Sequence, residues 1–179
     1  MISKRALPAL SACAALAASA AIGVASFSAQ ASGVSPQSST FLVSLTVQKD
    51  CTIIAGNLLD FGTATSSLIT TAIPGTTTFK VTCTSTTPYT LALDKGDTAG
   101  STILSRLLLG GTTAATVPFQ LYTDATYATV WGDGTNGSTV GGTGNGHAQT
   151  ITINGKALST GNMPAPDTYT ATETVSVIF

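Results

Sequence analysis

Few side chains in this 179-residue sequence have the types and spacing that catalysis requires. His147 is the one histidine, and neither a partner nucleophile nor an orienting acid can be assigned to it. A G-x-S-x-G motif is missing as well. The eight acidic residues could supply a carboxylate pair, but most of them stand beside glycine or at strand ends, where turns favour them. We interpret His147 as a solvated loop residue and expect no enzyme, with a hydrolase as a lesser alternative.

The glycine-rich stretch 132–146 could offer backbone N–H groups to a phosphate or oxygens to a metal ion. The strand-to-helix context and the lysine of a phosphate-binding loop are both missing. The stretch also resembles one nonapeptide calcium repeat, but Gly146 stands where the liganding aspartate should be. Asp133 and Asn136 are too few for Ca²⁺, which takes about six to eight oxygens. We therefore expect a long loop with turns, and no nucleotide, metal or other cofactor.

Three aromatic residues could form a platform for a sugar, because aromatic rings stack on apolar faces. They are Trp131, Tyr122 and Tyr127. A tryptophan packed in the core at a strand end explains Trp131 more simply. A sugar-binding β-sandwich remains an alternative.

The first 31 residues have the pattern of a signal peptide. Lys4 and Arg5 precede an apolar stretch, and Ala29-Gln30-Ala31 has the form that a signal peptidase prefers. A membrane anchor is the lesser alternative, because the stretch is alanine-rich and only just long enough to span a bilayer. We predict an exported protein cleaved after Ala31.

Two cysteines, Cys51 and Cys83, follow the predicted cleavage site. In an oxidising compartment one disulfide is their simplest state, whereas a metal site would need more ligands. The bridge would close a loop of about 30 residues, worth roughly 3 to 4 kcal/mol by the chain-entropy estimate.

The composition after residue 31 bounds the fold and the partners. The length suits one domain. Five basic residues face eight acidic ones, a net charge of −3, and nothing basic clusters, so nucleic acid and anionic membranes are poor partners. Threonine, glycine, alanine and serine are abundant, which favours strands and tight turns over helices.

Period-two alternation of apolar residues recurs along the chain, which predicts strands. Dipeptides such as Pro74-Gly75, Lys95-Gly96, Asn136-Gly137 and Asn154-Gly155 indicate turns between them. About seven short strands favour a β-sandwich, with a closed barrel as the alternative. The predicted strands are Thr40–Gln48, Cys51–Ile54, Thr77–Thr84, Tyr89–Asp94, Val117–Tyr122, Gln149–Ile153 and Tyr169–Phe179.

The first predicted strand has one strongly apolar face, made of Phe41, Val43, Leu45 and Val47. Left in water, such a strand is an aggregation hazard. It could be the first strand of a complete sandwich, fold back on its own domain, or complete the sheet of another copy. Periodicity leaves these three solutions open.

The last predicted strand repeats the alternation. Residues on one parity are Tyr169, Ala171, Val175, Val177 and Phe179. Glu173 interrupts this apolar parity, so we expect the buried part of the strand to begin after Glu173, with a bulge nearby.

Several motifs occur in a specific order along the chain. They are "CTI" at Cys51, "LDFG" at Leu59–Gly62, "VTCT" at Val81–Thr84, "PYTLALDKG" from Pro88, "LYTD" at Leu121–Asp124, "WGDGT" at Trp131–Thr135 and "YTATETVSVIF" at the end. In these motifs the chain resembles the spore coat protein U domain found in subunits of archaic chaperone-usher pili.

This resemblance implies an all-β, immunoglobulin-like sandwich that lacks its final strand and is completed by donor-strand exchange. Residues 32–48 would be the donor segment, with Phe41, Val43, Leu45 and Val47 as its apolar face, and residues 49–179 the pilin-like domain. A hydrophobic groove would lie beside the C-terminal strand. The groove and chaperone-pairing residues would be Tyr169, Val175, Val177 and Phe179.

The resemblance also implies partners and a location. A periplasmic chaperone would occupy the groove first, and the donor segment of the next copy would replace it at an outer-membrane usher. Neighbouring copies would then form an adhesive or biofilm fibre on the cell surface. A secreted coat protein that fills its own groove remains the alternative.

Overall fold

A computed structural model describes Gly33, residues 36–54 and 56–65, Leu68 and residues 70–179. The predicted signal peptide lies outside these residues and remains a prediction. In the described part of the chain no helix is long and apolar enough to cross a membrane. The fold set out below is that of Leu45–Phe179.

In the residues that the structure describes, nine antiparallel strands form two sheets. The six-stranded sheet has the order β1-β2-β7-β5-β4-β8 and the three-stranded sheet the order β6-β3-β9. The strands are β1 Cys51–Ile54, β2 Ile73–Cys83, β3 Pro88–Leu93, β4 Arg106–Gly110, β5 Thr116–Tyr122, β6 Val140–Thr143, β7 Ala148–Ala157, β8 Tyr169–Thr170 and β9 Val175–Ile178. The predicted all-β sandwich is thus confirmed.

Alternating side chains of the two sheets meet in a main core, and Leu68, Val117 and Ala157 form a smaller cluster. Phe79 and Val81 of β2 are buried while Lys80 between them is exposed, as period-two patterning requires. Trp131 is fully buried, and its indole N–H donates to the Leu91 carbonyl at 3.1 Å. The core interpretation of Trp131 is therefore correct, and this ring offers no face to a sugar.

The predicted disulfide joins the first two strands. Cys51 and Cys83 are bonded with an S–S distance of 2.07 Å, and they stand directly opposite each other in the β1–β2 register. The bridge ties β1, an edge strand of the larger sheet, to its neighbour β2.

Two predicted turns were wrong. Pro74-Gly75 lies inside β2 and Asn154-Gly155 inside β7, where Gly75 and Gly155 face each other across the pair. Leu59 and Phe61 pack over both glycines, and a Cβ at Gly75 would come within 3.0 Å of the Phe61 ring. The glycines thus make room for the "LDFG" segment, and a long strand pairing prevails over local turn preference.

Other strand predictions also differ from the structure. The predicted C-terminal strand is divided, because β8 joins the larger sheet while β9 joins the smaller one. The long loop predicted over 132–146 contains β6, and β4 was not predicted at all. Residues 36–50, which include the predicted strand Thr40–Gln48, have no regular secondary structure and are exposed. A strand needs a pairing partner for its backbone groups, and periodicity alone does not supply one.

Candidate functional site

An apolar cleft lies between the two sheets. One cavity of about 520 Å³ and a second of about 500 Å³ share part of their lining, so they form one continuous groove. The shared residues are Leu58, Leu59, Phe61, Leu108 and Ala171. The first cavity also reaches inner-face side chains of both sheets, including Phe79, Phe119, Ile153 and Leu93.

Edge strands border this cleft. β1 is an edge of the larger sheet and β9 an edge of the smaller one, and both Ile53 of β1 and Val175 of β9 line the first cavity. An edge strand presents N–H and C=O groups that an added strand can pair with. The cleft therefore combines an apolar floor with available backbone partners.

Hydrogen bonds on β3 establish which backbone groups of β9 point outward. The Leu93 N–H donates to the Gly132 carbonyl and the Leu91 carbonyl accepts from the Trp131 indole, so neither group faces β9. Val175 and Val177 stand opposite Leu93 and Leu91, which makes these pairs non-hydrogen-bonded. The N–H and C=O groups of Val175 and Val177 consequently point toward the outer edge.

The four predicted groove residues have side chains in different environments. The side chains of Val175 and Val177 are half-buried and pack against the core. Tyr169 lies in β8, lines the second cavity and donates its hydroxyl to the Ala165 carbonyl at 2.7 Å. Phe179 follows β9 and is 51% exposed. The chaperone-pairing role of these four residues stays a prediction.

The four predicted donor side chains are strongly exposed. Phe41, Val43, Leu45 and Val47 have between 74% and 88% of their surface accessible. The donor role of this segment likewise stays a prediction.

Sequence reasoning missed a buried charge pair beside the cleft. Arg106 is fully buried, and its Nε lies 3.0 Å from Glu173 Oε2. The same guanidinium donates to the carbonyls of Ile103 and Trp131 at 3.0 and 2.9 Å. It also donates to the Asp94 carbonyl and to Gln120 Oε1. Arg106 thereby joins β4, β5 and the loops that follow β3 and β5.

Glu173 corrects the prediction that burial begins after this residue. Its side chain is only 16% exposed and lines the first cavity, on the same parity as Ala171 and Val175. Oε1 is buried and has no hydrogen-bond partner. The signal was present in the sequence, because a carboxylate at an inward parity position must be paired with a cation or neutralised by a proton.

Burial is the main cause of the pKa shifts of Glu173 and Arg106. Burial raises the pKa of Glu173 to about 7, the Arg106 charge opposes this shift, and the nearby Asp94 carboxylate adds to it. Burial lowers the pKa of Arg106, and the charge of Glu173 opposes that shift. Burial alone would raise the pKa of Asp94, but the N–H groups of Thr174 and Gly96 hold it below its usual value.

The remaining candidate residues have structural environments. Asp133 Oδ1 accepts hydrogen bonds from the N–H groups of Thr135 and Asn136, as its turn interpretation predicts. His147 is an exposed loop residue. Within the part of the chain that the structure describes, no group of three or more histidine, cysteine, aspartate and glutamate side chains could hold a metal ion.

The architecture and the cleft define the class of fold. Two antiparallel sheets with an open groove form an immunoglobulin-like sandwich of the kind that pilus subunits have. The chain belongs to the Spore Coat Protein U domain family, whose model matches residues 37–176. The resemblance noted in the sequence is thereby confirmed.

Among solved structures, one similar chain belongs to the CsuC–CsuE chaperone–tip adhesion subunit pre-assembly complex from the archaic chaperone-usher Csu pili of Acinetobacter baumannii. The TM-score is 0.53 at 20% sequence identity, and the match covers 75% of this chain and 41% of that chain. The likeness thus concerns the fold of about two fifths of the neighbouring chain. A search of curated proteins found no match.

Proposed function

We propose that this chain is a structural subunit of an archaic chaperone-usher pilus that polymerises by donor-strand complementation into adhesive or biofilm fibres. The observation that carries the proposal is the cleft, which has an apolar floor and lies beside the outward-pointing backbone groups of Val175 and Val177. Before β1, the same chain has an exposed segment with four apolar side chains on one parity. The apolar side chains of this segment match the apolar floor of the cleft, and its backbone can pair with the outward-pointing groups of β9.

The energetics favour occupation of the cleft. Burying Phe41, Val43, Leu45 and Val47 contributes about 1.5 to 3 kcal/mol each, or roughly 6 to 12 kcal/mol before ordering costs. Backbone pairing along β9 adds affinity, and the alternating side chains define the register.

The proposed partners follow from the need to protect the cleft. A periplasmic chaperone occupies it first, and an outer-membrane usher exchanges the chaperone for the donor segment of the next subunit. The location of the assembled fibre is the cell surface. The exposure of Leu45 and Val47, which belong to the same unit as the cleft, supports donation between copies over self-complementation.

Deletion of residues 32–47 tests the proposal. Unheated samples of the wild type should give an SDS-resistant ladder, because a buried strand leaves its groove slowly. The deletion should abolish the ladder and leave binding of the chaperone intact. A ladder that survives the deletion would refute the donor assignment.

A matched pair of substitutions makes the same test specific to side-chain parity. Val43→Asp puts a charge on the apolar face and should remove the ladder. Ser44→Asp puts the same charge one residue along, on the opposite face, and should keep it. Equal behaviour of the two variants would contradict insertion of this face.

A further inference from the structure

Glu173 is an exception in the cleft lining. The lining of the first cavity is otherwise apolar or uncharged, and Glu173 is the only glutamate of the whole chain. Its Oε2 accepts from Arg106, but its buried Oε1 has no partner and lies against Gly96, where a Cβ would collide with it. The carboxylate is therefore only half satisfied.

The charged groups around Glu173 come from two neighbouring elements. Arg106 of β4 is on one side, and Asp94, in the loop after β3, is on the other. The Asp94 and Glu173 carboxyl groups are close enough to share a hydrogen bond when one of them is protonated. Asp133 is a further charge that acts on Arg106.

A strand in the cleft would cover Glu173. The N–H groups of Thr172 and Thr174 donate to Asp97 Oδ1 and Asp94 Oδ1 on the inner side. By strand alternation the backbone of Glu173 then faces the outer edge, as Val175 does. An added strand that pairs with β9 and continues along this edge passes Glu173 and excludes the remaining water.

Excluding water changes the balance between the two protonation states. An ionised carboxylate with one unpaired oxygen is strongly disfavoured in a dry apolar site. A proton taken from solvent onto Oε1 neutralises Glu173. The resulting O–H can donate a hydrogen bond to the Asp94 carboxylate. The Arg106 bond to Oε2 is kept.

We propose that filling the cleft with a strand is coupled to protonation of Glu173, so that strand acceptance is stronger in mildly acidic than in mildly alkaline medium. This inference rests on the proposed function, since it concerns the same cleft and the same kind of occupant. The affinity of the empty cleft for a strand should fall about three- to tenfold between about pH 6 and about pH 8, the effect of one linked proton.

The test uses the full chain without a chaperone, so that the cleft starts empty, at concentrations where the chain is monomeric, together with a labelled peptide of residues 36–50. Incorporation of the peptide is measured at about pH 6 and pH 8 for the wild type, Glu173→Gln and Asp97→Asn. Asp97→Asn is the matched control, because Asp97 is an exposed acid that pairs with the same segment. Incorporation should depend on pH in the wild type and in Asp97→Asn, and should stay near the acid value in Glu173→Gln.

A second measurement uses the wild-type chain and therefore does not require that a variant folds. Because the chain has one glutamate, ¹³C labelling of the glutamate carboxyl carbon reports the ionisation of Glu173 by NMR. At about pH 7.5 the signal should move from the ionised toward the neutral position when the unlabelled peptide enters. An unchanged signal, or a Glu173→Gln variant with the wild-type pH dependence, would overturn the coupling and leave the proposed function intact. A peptide that enters at neither pH would overturn both.

Discussion

At the scale of single residues, the Arg106–Glu173 pair shows how a buried charge constrains a β-sandwich. Arg106 donates hydrogen bonds to three backbone carbonyls as well as to Glu173, so it connects the loops at one end of the cleft. A buried ion pair contributes little net stability, but loss of either partner leaves the other uncompensated. The aspartates in turns differ, because the turns supply backbone donors. The Thr112 and Thr113 N–H groups, for example, hold the pKa of Asp167 well below its usual value.

The first prediction concerns the pH dependence of stability. The pKa of Glu173 is raised to about 7 in the folded chain, above its usual value of 4.5. The folded state therefore binds this proton more tightly than the unfolded state does. The free energy of unfolding should fall as the pH rises from about 4.5 to about 7, by roughly 2 to 3 kcal/mol, and then level off.

Urea unfolding followed by Trp131 fluorescence, at concentrations where the chain is monomeric, measures this dependence. Glu173→Gln should flatten the curve across the same interval. Asp97→Asn should keep the slope, because hydrogen bonds from the Thr172 N–H hold the pKa of Asp97 below its usual value and outside that interval. A wild-type curve that rises between about pH 5 and pH 7 would contradict the assignment.

At the scale of elements, the sequence predicted those strands whose own residues alternate. Cys51–Ile54 was predicted with its observed ends, and β3 and β5 were displaced by only one residue at one or both ends. β4 was missed because "RLLLG" does not alternate, and β6 because "VGGT" contains two turn-forming glycines. In both cases pairing with neighbouring strands decides the conformation, and a single sequence contains no record of that pairing.

The candidate site was predictable to a similar extent. The inward parity of Val175 and Val177 follows from alternation, and their outward backbone direction does not. That direction depends on Leu93 and Leu91 bonding to Gly132 and Trp131, which are far away in the sequence. The division of the last strand at residues 171–174 could likewise not be predicted from the sequence, because its two halves pair with β4 and β3 of different sheets.

The second prediction tests the glycine pair beneath the "LDFG" segment. Gly75→Ala should destabilise the fold by about 1 to 3 kcal/mol, because its Cβ would press on the Phe61 ring and the Asp60 carbonyl. Gly141→Ala is the matched control, since a Cβ there meets its nearest atom at 3.9 Å. Thermal unfolding of both variants measures the difference. Equal stability would mean that Leu59 and Phe61 can move aside.

At the scale of the whole molecule, the proposed donor and acceptor surfaces are different parts of one chain. An interface between unlike surfaces is heterologous, and repeating it produces an open filament unless the rotation closes a ring. A reciprocal exchange between two chains would instead stop at a dimer. The open filament and the reciprocal dimer can be distinguished by varying the fraction of subunits that are able to donate a strand.

The third prediction follows from this difference. Val43→Asp subunits should accept a strand but not donate one, so each one that joins a filament ends its growth at the donor end. Adding about one such subunit in ten during assembly should reduce the mean length to on the order of ten subunits, as stepwise head-to-tail growth requires. Ser44→Asp subunits at the same ratio should leave the length unchanged. Filament lengths measured by electron microscopy decide the matter, since reciprocal exchange would give dimers and no filaments in every mixture.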